Sequence, residues 1–132
     1  MLSAASALAG CAASRLPPPP PPSGIAALAI WDRLSFGRNI PQGGEVSEAD
    51  WVKFLAEVVT PRFSNGFAVV RGEGQWREKS GVIVHEQSFI LDLNHADDPA
   101  GDRLVDEIVL EYKRRFAQEA VFRMRLHVDA RL

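Results

Sequence analysis

The stretch from Val82 to Leu93, VIVHEQSFILDL, constrains the fold of this chain more than any other. At a strand's period of two, one face carries Val82, Val84, Glu86, Ser88 and Ile90, and the other carries Ile83, His85, Gln87, Phe89, Leu91 and Leu93. Both faces are partly apolar, which suits a central strand covered on two sides and not one with a wet face. The rest of the chain must therefore supply neighbouring strands and a covering layer.

It does so in order. Residues from Ile25 to Phe36 are rich in apolar side chains, and Ile30, Leu34 and Phe36 share one face of a first strand ending at Gly37. The loop Arg38 to Glu45 breaks it with Pro41 and Gly43-Gly44. Ser47 is the expected N-cap of a helix, with Asp50 completing a capping-box variant and Val46 placed to staple against Trp51. Trp51, Phe54, Leu55, Val58 and Val59 recur at helical spacing, and Pro61, lacking an amide hydrogen, is expected to stop the helix.

Asn65-Gly66 signals a turn into a second strand on which Phe67, Val69 and Arg71 alternate with Ala68 and Val70. Gly72 and Gly74 predict a bulge or tight bend before the turn at Glu78 to Gly81. After the third strand, Asp98 as N-cap with Pro99 at the first helical position opens a second helix, striped by Leu104, Val105, Ile108, Tyr112 and Phe116. Lys113, Arg114 and Arg115 sit near its end, where the helix dipole favours cations. On the last strand, Phe122, Met124, Leu126 and Val128 are read as inward, and Arg123, Arg125 and His127 as outward. The order βαββαβ with right-handed crossovers gives a ferredoxin-like α+β sandwich. Two helices lie on one face of an antiparallel sheet whose middle strands are the first and third. Apolar side chains on the opposite, open face predict a partner, most simply a homodimer packed sheet to sheet.

The N-terminus gives an address. Leu8-Ala9-Gly10-Cys11 follows an Ala-rich apolar run and resembles a bacterial lipoprotein signal, with Cys11 as the lipidated residue. Only ten residues precede Cys11 and none is basic, so residues 1–11 read as a truncated signal with the true start upstream. Residues 12–24 include six consecutive prolines, Pro17 to Pro22, and form a linker in which polyproline II favours a spacer. Residues 25–132 are expected to form one domain. A lipid anchor would place it at the cell envelope, facing the periplasm or the outside.

Bulk electrostatics exclude little but direct less. A formal charge of −2 and a pI near 5.9 offer no general attraction to phosphate backbones. The βαββαβ order is shared with RNA-recognition modules, yet VIVHEQSFI offers one aromatic, Phe89, so no nucleic-acid partner is expected. Cys11 is the sole cysteine, which excludes an intrachain disulfide framework. His85, His95 and His127 lack metal-ligand spacing, and no metal is expected. Asp92-Leu93-Asn94 begins like a calcium loop, but Asp97 stands where the glycine is required and Arg103 where the acid is. It reads as the loop before the second helix. Gly72-Glu73-Gly74 lacks the third glycine and following helix of a dinucleotide fingerprint, and no cofactor is implied.

Several segments together carry a family resemblance. Phe36-Gly37, V-S-E-A-D-W at Val46 to Trp51 with Phe54, T-P-R-F at Thr60 to Phe63, Gly66, and G-Q-W at Gly74 to Trp76 with Glu86 downstream match in order and spacing. With them the chain resembles the bacterial domain of unknown function 3574 family, whose members include predicted lipoproteins. Ser64 and Ala68-Val69 stand where that family commonly has a second proline and a Thr-Val pair. The resemblance implies an envelope address and no activity.

Chemistry therefore rests on the residues between Val59 and Glu86. Arg62, Arg71, Gln75, Arg77, His85 and Glu86 can converge around one hairpin, where a carboxylate beside guanidinium and amide donors binds a polar ligand or places a proton-transfer group. The ligand-binding set is Arg62, Arg71, Gln75, Trp76 and Glu86. Structural alternatives stand beside it: Arg62 satisfying helix-end carbonyls, Gln75 bridging backbone, Glu86 paired to an arginine, Trp76 capping the core. The leading expectation is a non-catalytic envelope domain that binds a small ligand or an envelope protein. The alternative is a small cofactor-independent enzyme with Glu86 or His85 as general base and Arg62 or Arg71 steadying an anion.

Overall fold

A computed structural model describes residues 27–77 and 79–130. The expected lipoprotein signal, the expected proline linker and the first residues of the expected domain lie outside the described residues. Strand β1 (Ala27–Gly37) buries Ile30, Asp32, Leu34 and Phe36 on one face. Helix α1 (Glu48–Phe54) opens with the expected capping box, in which the Ser47 hydroxyl accepts from the Asp50 amide and the Asp50 carboxylate accepts from the Ser47 amide.

Pro61 does not stop this helix. The chain widens into a π turn over Leu55–Val59, in which the Thr60 amide donates to Leu55 O, and it continues into α2 (Thr60–Arg62). Pro61 thus falls in the opening turn of a new helical segment, where a missing amide is tolerated. Phe63 ends the stretch.

Strand β2 (Ala68–Arg77) pairs with β3 (Ile83–Ala96) in one unbroken antiparallel register from Ala68↔Asp92 to Arg77↔Ile83. The expected bulge is therefore absent. Gly72 serves packing instead, since a Cβ there would stand 2.8 Å from Ile90 Cδ1. Strand β3 also runs past Leu93, because Asp92, Leu93 and Asn94 pair with Arg33, Asp32 and Trp31 of β1. That replaces the expected loop with sheet and brings His95 into the strand.

Helix α3 (Pro99–Phe116) is capped by Asp98, whose carboxylate accepts from the Gly101 amide, and it buries Val105, Ile108 and Tyr112. The Tyr112 hydroxyl donates to Gly37 O at 2.9 Å, tying the helix to the end of β1. Strand β4 (Phe122–Ala130) pairs antiparallel with β1. The sheet order is β2-β3-β1-β4, so β1 and β3 are central, as their two-faced patterns require. Beneath the helices, Trp51 stacks on Phe89 with centroids 4.5 Å apart, and Phe36, Phe54 and Tyr112 complete an aromatic core.

The two faces of β4 are the reverse of the sequence expectation. Register sets Leu34 opposite Arg123, Asp32 opposite Arg125 and Ile30 opposite His127, so the basic row shares the buried face of β1. Phe122, Met124 and Leu126 lie on the open face, 64%, 46% and 47% exposed. The cause is Asp32, a carboxylate among apolar neighbours that only nearby cations can satisfy.

Candidate functional site

Three regions carry chemistry. The first lies under α3. Asp32 has no exposed surface, and Arg123 grips it through Nε at 2.9 Å and Nη2 at 2.6 Å. Arg125 approaches the same carboxylate at 3.2 and 3.3 Å and also pairs with Asp102, while Arg123 reaches Asp106 at 2.8 Å. His95 completes the ring, with Nε2 2.9 Å from Asp32 Oδ2 and Nδ1 2.7 Å from Ala96 O. Burial alone would raise the Asp32 pKa, but hydrogen bonds from Arg123, Arg125 and His95 outweigh it and hold the carboxyl well below the usual range. Asp32, His95 and Asp102 present atoms within 4.8 Å of one another, a spacing that fits a metal ion. Two guanidiniums already supply the positive charge those carboxylates need, so the donor set does not fit a cation.

The second region is the open face of the sheet. Trp31 and Arg33 of β1, Ile90 and Asp92 of β3, Val70 of β2, and Phe122, Met124 and Leu126 of β4 lie here by register. At its centre Arg33 forms a bidentate pair with Asp92, both bonds 2.7 Å, and its guanidinium lies 5.2 Å from the Trp31 ring centroid. That hydrogen bond lowers the Asp92 pKa. Apolar side chains flank the ion pair on both sides.

The third region is an arm. Strand β1 ends where Gly37 faces Ser88, whereas β2 and β3 stay paired as far as Arg77 and Ile83. The resulting two-stranded projection exposes Trp76, Val82 and Ile83 at 52%, 58% and 42%.

The residues singled out from sequence divide among these places. Arg62 donates to Val58 O at 2.8 Å and to Glu107 at 2.9 Å, which is the helix-end role weighed for it. Arg71 instead holds Glu48 at the start of α1, about 20 Å away at 1.5 Å per helical residue. Gln75 and His85 face each other across one side of the arm, while Trp76 and Glu86 lie on the other. Glu86 folds its carboxylate over Gly37, where any side chain would collide with it. His85 and Glu86, adjacent on one strand, point to opposite faces and form no dyad.

Arg123, Arg125 and His127, expected to face outward, do not lie on the open face. The arginines serve the buried Asp32, and His127 lies 3.2 Å from Asp97. Sequence reasoning passed over Asp32, Arg38 and Glu48. Asp32 had a legible signal, a lone acid in the Ile30-Leu34-Phe36 row with two arginines spaced for it on β4. Arg38 and Glu48 had none, since tertiary folding alone brings them to Arg71.

These elements define a ferredoxin-like α+β sandwich with a helix-covered face, an open face and a projecting arm. The chain belongs to the family described as proteins of unknown function, DUF3574, whose model matches residues 31–131. Among solved structures it is similar to a phage SAM lyase in complex with S-methyl-5′-thioadenosine, with 19% identity, a TM-score of 0.62 and coverage of 80% of this chain and 85% of that one. It is also similar to CutA1 from Oryza sativa, with 11% identity, a TM-score of 0.54 and coverage of 80% and 84%. CutA from Synechococcus elongatus gives 10% identity, a TM-score of 0.54 and coverage of 82% and 84%. At these identities the likeness is one of fold. No curated protein matches the sequence significantly.

Proposed function

We propose that this is a non-catalytic binding domain of the cell envelope, anchored by lipid at Cys11, whose open sheet face is covered by a second copy of the chain. The observation that carries the reading is the exposed apolar row Phe122, Met124 and Leu126, continued across the sheet by Trp31, Ile90 and Val70. A patch of that kind on a domain surface marks an interface. A twofold axis parallel to the strands and centred near the Arg33–Asp92 pair would reverse the strand order and set β4 of one copy over β2 of the other, and β1 over β3. Trp76 and Glu86, on the same side of the arm, become partner contacts in this reading, and Arg71 is left for a small ligand.

Sedimentation equilibrium tests the pairing: the native chain forms a concentration-dependent dimer, and a monomer throughout the micromolar range removes the proposal. Mass spectrometry of the mature N-terminus in the native host tests the anchor. A diacylglyceryl mass on Cys11 supports it, and an unmodified Met1 ends it. The competing reading, a small cofactor-independent enzyme with Glu86 or His85 as base, draws on the fold shared with the phage SAM lyase. It requires Glu86-dependent loss of S-adenosylmethionine, and intact compound after incubation with stoichiometric protein counts against it.

A further inference from the structure

Where the arm leaves the sheet, the loop after β1 and the start of α1 enclose a polar cleft of about 430 Å³, lined by Arg38, Glu48, Arg71, Glu73 and Gln87 among others. Arg38 is fixed in place. Its Nε donates to Val46 O at 2.9 Å, its Nη1 to Gln87 Oε1 at 3.1 Å and its Nη2 to Glu45 at 2.9 Å, and its guanidinium lies over the Phe89 ring at 4.7 Å. Only 12% of this side chain is exposed. Such a guanidinium is preorganised, because its ordering entropy is already spent in the folded state.

Glu48 lies between this arginine and Arg71. Its carboxylate accepts from Arg71 Nη2 at 2.5 Å and Nε at 3.0 Å, a fork-to-fork pair, and stands 3.7 Å from Arg38 Nη1. The helix does not need it there, since Ser47 and Asp50 supply the cap. The Glu48 side chain is 47% exposed and can swing outward. A carboxylate held by the Arg71 fork, with a second guanidinium 3.7 Å away, inside an open cleft has the geometry of a bound oxyanion.

We propose that the cleft binds a small ligand through a carboxylate or phosphate group, and that Glu48 is a tethered occupant which this group displaces. Arg71 supplies the fork, Arg38 adds a fixed positive charge, and Gln87 holds Arg38 in register. Glu45 and Glu73 add negative charge at the rim, so a bare anion competes poorly until Glu48 has moved. The site is independent of the open sheet face, and its failure leaves the dimer reading untouched.

The test is titration of the full chain with sodium phosphate and, separately, sodium acetate, followed by the amide resonances of Gly72 and Ser88. Removing the competing charge with Glu48→Gln tightens binding of at least one anion by about fivefold, the equivalent of one such ion pair. Response to phosphate alone identifies a phosphate ligand, and response to acetate alone a carboxylate. Arg38→Gln or Arg71→Gln, added to Glu48→Gln, abolishes the response while thermal unfolding confirms a folded protein. Silence of Glu48→Gln toward both anions overturns the proposal. So does binding that survives both arginine substitutions.

Discussion

The two faces of the sheet solve opposite problems. The helix-covered face carries an acid, two arginines and a histidine where apolar packing would be expected, and every one of them is paired. The open face carries Phe122, Met124 and Leu126, 64%, 46% and 47% exposed, and nothing among the described residues buries them. The contrast shows that on β4 charge outranks hydrophobicity in choosing the buried side. An unpaired buried carboxylate costs several kcal/mol, whereas three half-exposed apolar side chains forgo less, and a partner can still cover them.

Breaking the charged side gives the largest effect. Asp32→Asn leaves Arg123 and Arg125 without their shared anion and is expected to lower stability by about 3 kcal/mol in urea unfolding. The same residue contributes to the acid limb, beside Glu111 and Asp92, whose carboxyls arginines also hold low. The Asp32 pKa is depressed in the folded state, so its contribution is present above the unfolded value and is lost as pH falls through the folded one. The Asp32 contribution is therefore constant near neutrality and declines below about pH 5, and Asp32→Asn makes the acid decline shallower without removing it. An unchanged acid limb in the variant would show that the network is not what titrates.

Gly101→Ala comes next. A methyl there meets the His95 ring and stands 3.0 Å from Ala96 O, and overpacking of this kind costs about 1–3 kcal/mol by thermal or chemical unfolding. Gly72→Ala meets the end of the flexible Ile90 side chain and, at 3.2 Å, Ser88 Oγ, and is expected to cost less than about 1.5 kcal/mol. Smallest of all is Trp76→Ala on the exposed arm, which should change monomer stability by no more than about 0.5 kcal/mol. A larger loss would mean that the arm is packed against something within the chain.

Much of the fold is legible in the sequence, because local chemistry and period both declare it. Ser47 with Asp50, Asp98 with Pro99, and the two-faced run from Val82 to Leu93 each specify their element, and together they specify the order of strands. Alternation on β4 defines two faces without saying which meets the helices. That choice belongs to Asp32, far away in sequence. The π turn that admits Pro61 and the extension of β3 through Asp92-Leu93-Asn94 are likewise tertiary outcomes, the latter fixed by pairing with β1. The candidate site was less legible. Arg62 and Arg71 are close in sequence but lie near opposite ends of one helical stretch, whereas Arg38 and Arg71 are distant in sequence and share a cleft.

The central claim is that the open face is an interface between two copies. Sedimentation equilibrium of the native chain beside Leu126→Glu tests it most directly, because a charge on that row repels a second copy and leaves the buried face intact. The account predicts a native dimer and a folded, monomeric variant with an unchanged acid limb. A native chain that stays monomeric, or a variant that dimerises as the native chain does, would contradict it.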